Sequence, residues 1–101
     1  MHFEYSTDIW RDFPELVPGL LAAEGITPDV FVDHPVARYE AVAAERLESV
    51  SEGELPEVQA WRRAFSRMGL KPTQYRSASE ALLRRYRKEG SLPQIHPLVD
   101  V

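Results

Sequence analysis

Three segments of this chain repeat apolar residues at the three- and four-residue spacing of an amphipathic helix, and this pattern constrains the fold most. The first segment covers residues 35–50, the second begins near Val58, and the third follows Ser77. The stripe positions are, in chain order, Val36, Tyr39, Ala43, Leu47 and Val50, then Val58, Trp61, Phe65 and Met68, then Leu82, Leu83 and Tyr86. The sequence therefore predicts three helices, each with one buried face.

Capping signals mark where these helices begin and end. Asp33 or His34 is the predicted cap of the first helix, with Pro35 in its first turn, where a missing N–H costs nothing. Ser77 followed by Glu80 fits a capping box at the start of the third helix. Two glycines are placed to end the second and third helices with a left-handed residue: Gly69 and Gly90.

Two further segments are apolar but do not fit this pattern. Residues Leu16–Ile26 are interrupted by Pro18 and Gly19, which oppose a helix, so we expect a strand there. Residues 92–101 begin another element, with Pro97 suited to the first turn of a helix. A lone strand is not stable and needs partner strands. The expected fold class is therefore α+β (α/β), with about three helices and one or two strands that need partners.

The 101 residues are enough for one domain with one core. The absence of cysteine excludes disulfides and thiolate metal sites, and the three histidines have no metal-ligand spacing, so no metal and no cofactor are predicted. Apolar stretches are too short to span a bilayer, and the N-terminus has no signal-peptide pattern. These observations predict a cytoplasmic protein without a membrane partner.

The charges are strongly segregated along the chain. Residues 1–57 contain thirteen acidic and three basic side chains, a net charge of −10, whereas residues 58–101 contain nine basic and three acidic ones, a net charge of +6. Seven of the nine bases are arginines, whose planar fork matches phosphate better than the lysine ammonium does. Such segregation indicates either that the two halves pair with each other or that the basic half meets an anionic partner.

Candidate RNA-binding residues follow from this basic half. Four cations crowd one short helical segment around Tyr86, and a fifth precedes that helix. The candidates are Arg76, Arg84, Arg85, Arg87 and Lys88. Phosphate contacts, simple solvation, and pairing with the acidic half all remain open at this point.

The segment Lys71–Val101 adds an ordered set of short motifs. They are Lys71-Pro72, Tyr75-Arg76, Ser79, Glu80-Ala81-Leu82-Leu83-Arg84-Arg85, Leu92-Pro93, Ile95 and Leu98-Val99-Asp100. In this order the motifs resemble the free-standing form of the B3/B4 domain, the editing module of the phenylalanyl-tRNA synthetase beta subunit. The resemblance covers about a third of the chain closely.

The resemblance implies that residues 1–101 are the N-terminal part of a single B3/B4-like domain, incomplete at residue 101, within a protein of roughly 200–240 residues. A missing C-terminal half, or a companion chain, would then supply the partner strands. His96 and Asp100 would lie near the editing pocket, although His96 stands where the family commonly has asparagine. No catalytic residue is identifiable in residues 1–101.

The implied function is removal of wrong amino acids from mischarged tRNA by a trans-acting aminoacyl-tRNA deacylase, an ester hydrolase that needs no cofactor. Two alternatives stay open. One is a non-catalytic RNA- or protein-binding module of the same fold, and the other is a small-molecule enzyme that reuses the pocket.

Overall fold

The computed structural model describes residues 2–101, and all regular structure in this range is helical. The five α-helices are α1 (Thr7–Asp12), α2 (Asp33–Arg46), α3 (Pro56–Arg67), α4 (Ala78–Glu89) and α5 (Pro97–Asp100). A short 3-10 helix, Glu52–Glu54, lies between α2 and α3.

The predicted α+β (α/β) class is wrong, because residues 2–101 contain no strand and no sheet. The segment Leu16–Ile26 is irregular, and Val17 and Leu21 are 89% and 80% exposed. Pro18 cannot donate a ladder hydrogen bond, and no neighbouring strand is available in this range to pair with the segment. The apolar composition therefore leads to an exposed irregular segment rather than to a strand.

The predicted helix ends of α3 and α4 are confirmed. Ser77 Oγ accepts a hydrogen bond from the backbone N–H of Glu80 at 3.3 Å, which satisfies one free donor at the start of α4. Gly69 and Gly90 follow α3 and α4 with φ angles of +78° and +76°, a backbone region that favours glycine. The Glu80 side chain, however, turns away from the cap and forms ion pairs with arginines.

The first predicted helix is shifted and shortened. It begins at Asp33, with Val32 as the residue before it, and ends at Arg46. The last two stripe positions, Leu47 and Val50, therefore lie beyond the helix. At the N-terminus a short helix, α1, is present where the pattern indicates only an irregular lead-in.

The core is small and partly ionic. The 3-10 helix packs against α3 and α4, and the buried apolar side chains there are Leu55 and Val58. The carboxylates of Glu52 and Glu80 are buried beside them. The apolar stripes of the predicted helices are less buried than their spacing indicates. Leu82 on α4, for example, is 52% exposed. Charged pairs thus occupy positions that an apolar core would take.

The helices spread into a flat arrangement of 42 × 41 × 19 Å. The radius of gyration is 16.1 Å, against about 13 Å for a compact domain of this length. The accessible surface is 8086 Å², whereas a folded monomer of this mass has about 5,800 Å². Much apolar surface is therefore in contact with solvent. No helix in the described range is both long and apolar enough to cross a membrane.

Candidate nucleic-acid interface

One face of α4 and the connector before it line an open cavity of about 350 Å³, which we call the basic groove. Positions 81, 84, 85 and 88 lie on one helix face because they are separated by three, four and seven residues. Arg76 and Gln74 from the preceding connector complete the lining. The charged residues of the basic groove are Arg76, Arg84, Arg85, Lys88 and Glu89. The groove therefore carries four cations and one carboxylate.

Glu80 is the buried anion behind one end of the basic groove, with 1% of its surface exposed. Its carboxylate accepts two hydrogen bonds from Arg62 of α3, with Nε at 3.3 Å and a shorter one from Nη2. Arg76 is a second neighbour, with Nε 3.7 Å from Oε1. The hydrogen bond to Glu80 holds the pKa of Arg62 above its usual value, so this guanidinium stays charged.

Glu52 has the same arrangement behind the middle of α4. Its carboxylate accepts hydrogen bonds from Arg87 Nε at 2.6 Å and Nη2 at 3.2 Å, a bidentate pair. Arg84 is the second neighbour, with Nη1 3.8 Å from Oε1. The hydrogen bond from Arg87 is the main reason that the pKa of the Glu52 carboxyl lies below its usual value.

Each buried carboxylate therefore has one hydrogen-bonded arginine and one more distant arginine. The hydrogen-bonded ones are Arg62 and Arg87, and the distant ones are Arg76 and Arg84. Two carboxylates among four guanidinium groups leave a net charge of +2. Only the distant arginines line the basic groove, so the excess positive charge faces that groove.

The structure brings four of the five predicted RNA-binding residues together. Arg85 pairs with Glu89 one helical turn later at 3.1 Å, in an exposed i,i+4 ion pair. Lys88 is exposed at the end of the groove. Arg87 is the residue set apart, because it reaches across to Glu52.

His96 and Asp100, predicted near the pocket, form a reciprocal cap around α5. His96 Nδ1 accepts a hydrogen bond from the Leu98 N–H at 3.1 Å. The Asp100 carboxylate accepts from the Ile95 N–H at 3.0 Å and the His96 N–H at 3.3 Å. Asp100 also borders a second, apolar cavity of about 140 Å³ between α2 and α4. In this structure both side chains order the backbone around α5.

Sequence reasoning does not identify Glu52, Glu80 and Arg62 as parts of the site. From the sequence, Glu80 is explained as part of the capping box, and Glu52 as part of a break between helices. Arg84 and Arg87 are three residues apart within α4, so helix spacing indicates that they share one side, whereas Arg76 precedes the N-cap and has no such signal. No local signal shows that two acidic side chains become buried there.

Within residues 2–101, no three histidine or carboxylate side chains converge to hold a metal ion. In comparisons with known proteins, no family model, no curated protein and no solved structure matches this chain. The resemblance of the segment Lys71–Val101 to the B3/B4 domain therefore remains a prediction from its motifs.

Proposed function

We propose that this chain binds RNA by contacting backbone phosphates in the basic groove. The observation that carries the proposal is the convergence of Arg76, Arg84, Arg85 and Lys88 on one groove, where the buried carboxylates leave positive charge in excess. Arginine forks form bidentate hydrogen bonds with phosphate, and phosphate contacts supply most sequence-independent affinity for nucleic acid.

The RNA that we propose is tRNA, and the activity is removal of a wrong amino acid from mischarged tRNA in the cytoplasm. The resemblance of residues 71–101 to the B3/B4 editing module supports this choice. Ester hydrolysis needs an oriented water and donors for the developing oxyanion. The proposal assigns this chain the tRNA-binding surface and assigns a catalytic role to none of its residues.

A covering polypeptide is also part of the proposal. Tyr39 of α2 and Leu82 of α4 border the apolar cavity and are more than half exposed, and Leu98 and Val99 of α5 are exposed nearby. A C-terminal half or a companion chain that packs on this face would remove apolar surface from water, which is favourable.

RNA binding is tested by fluorescence anisotropy with a tRNA transcript over a range of salt concentrations. The double variant Arg85→Gln/Lys88→Gln removes two exposed cations of the groove, so binding should weaken. The slope of log binding constant against log salt concentration should decrease in magnitude by about 0.7–0.9 for each phosphate that the variant no longer neutralises. Arg63→Gln is the matched control, because it removes an exposed cation of α3 outside the groove.

The triple variant Arg76→Gln/Arg84→Gln/Arg85→Gln should lower the slope further, and urea unfolding of the same sample shows whether it is folded. Salt slopes that stay equal to the Arg63→Gln slope in the folded variants would refute RNA binding through the groove.

Deacylation of tyrosyl-tRNA(Phe) tests the activity. Retained tRNA binding without turnover would favour the non-catalytic RNA-binding module.

A further inference from the structure

The two distant arginines, Arg76 and Arg84, differ from the other cations of the groove in how they are held. Each lies next to a buried carboxylate, at 3.7 Å from Glu80 and 3.8 Å from Glu52. Both distances exceed hydrogen-bond range, so the carboxylates hold these guanidinium groups electrostatically and accept no hydrogen bond at these two contacts.

The Nε atom of Arg76 is the most unusual donor in the groove. It is buried and has no hydrogen-bond acceptor within residues 2–101. A buried N–H group without an acceptor is unfavourable, and native proteins satisfy nearly all such groups with protein, water or ligand. Less than 1 Å² of this atom is accessible, so an anion in the groove would satisfy the donor after a turn of the Arg76 side chain toward the groove.

Steric space for an anion is present at the same place. Arg76 and Arg84 line the same cavity of about 350 Å³ from two directions, one from the connector and one from α4. This volume accommodates a phosphate together with an attached sugar, and it is at the lower end of the range for ligand pockets.

We infer that Arg76 and Arg84 form a discrete site for one phosphate group, and that Glu80 and Glu52 act as positioning residues behind it. The inference rests on the proposed function, because the phosphate is that of an RNA backbone. It adds that one phosphate is held by an oriented guanidinium pair, whereas Arg85 and Lys88 attract the rest of the RNA as point charges. A free phosphate ion has the same chemistry and is the other source to be tested.

Replacement of arginine by lysine tests this site, because lysine keeps the charge and loses the planar fork. We expect Arg76→Lys to weaken binding of a pentaribonucleotide about tenfold, the effect of removing one charge-assisted hydrogen bond. The matched control Arg85→Lys should stay within about twofold, because an exposed point charge is enough there. Equal losses of affinity in the two variants would overturn the inference.

A second measurement needs no variant for its readout. The Arg76 Nε–H resonance is assigned as the peak that the Arg76→Lys spectrum lacks, and it is followed in the unmodified protein. We expect it to move on titration with the pentaribonucleotide. A resonance that stays in place while the oligonucleotide binds would refute the site and leave the proposed function standing.

Inorganic phosphate distinguishes the two sources. Movement of the Arg76 resonance with inorganic phosphate, in a protein that binds no oligonucleotide, would support the site and refute the proposed function. Movement with neither probe would overturn the inference.

Discussion

The buried carboxylate of Glu80 is the side chain whose loss should destabilise this fold most, and Glu80→Gln tests this directly. The substitution keeps the shape and removes the charge that faces Arg62 and Arg76. Glu80 is 1% exposed and accepts two hydrogen bonds from Arg62, so the arginines lose a buried counter-charge.

The magnitude follows from how the group is buried. Breaking a fully buried ion pair costs about 3–5 kcal/mol. The side chains of Arg62 and Arg76 are both 29% exposed, so water recovers part of this loss. We therefore expect a destabilisation of about 2–3 kcal/mol, a large part of the stability of a small domain.

Urea unfolding followed by circular dichroism at 222 nm measures the change. Glu89→Gln is the matched control on the same helix, because it removes one partner of an exposed i,i+4 pair, which is worth about 0.3–0.5 kcal/mol. A Glu80→Gln protein as stable as the Glu89→Gln protein would refute the reasoning that a buried charge cluster supports the core.

Three further perturbations test other parts of the fold. Gly53→Ala should be destabilising, because the added Cβ would lie 2.7 Å from Arg62 Nη2 and would displace this guanidinium from its hydrogen bonds to buried Glu80. Gly19→Ala, in open space, serves as the control in urea unfolding. Glu52→Gln should flatten the pH dependence of stability. The folded pKa of Glu52 is lowered from 4.5, so its contribution is present above that pH and is lost as the pH falls through the folded value. The measurement is acid titration followed by circular dichroism. Equal losses of stability below pH 4.5 in the unmodified protein and in Glu52→Gln would contradict the prediction. Ser77→Ala should cost about 1 kcal/mol of unfolding free energy, and the exposed Ser66→Ala much less.

The sequence by itself determined the local features of the helices. The N-cap at Ser77 and the glycine ends at Gly69 and Gly90 depend on hydrogen bonds and φ angles within a few residues. The placement of Arg84, Arg85 and Lys88 on one face follows from helix periodicity alone. Such features can be predicted from the sequence because the interacting groups are neighbours in the chain.

The expected strand at Leu16–Ile26 is wrong for a related reason. A strand is stable only when another strand supplies backbone partners, and an apolar run interrupted by Pro18 does not show whether such a partner exists. The segment is irregular because no strand is available within residues 2–101.

Tertiary structure alone decided which cations of the basic half are neutralised. The acidic residue Glu52 reaches Arg87 across 35 positions, and Arg62 reaches Glu80 across 18. Segregation of charge indicated that pairing or an anionic partner was available, and the structure contains the pairing for Arg87 but leaves Arg76 and Arg84 beyond hydrogen-bond distance. The reason is physical: burial of a carboxylate depends on packing of distant elements, and an ion pair gains its strength only after that packing has excluded water.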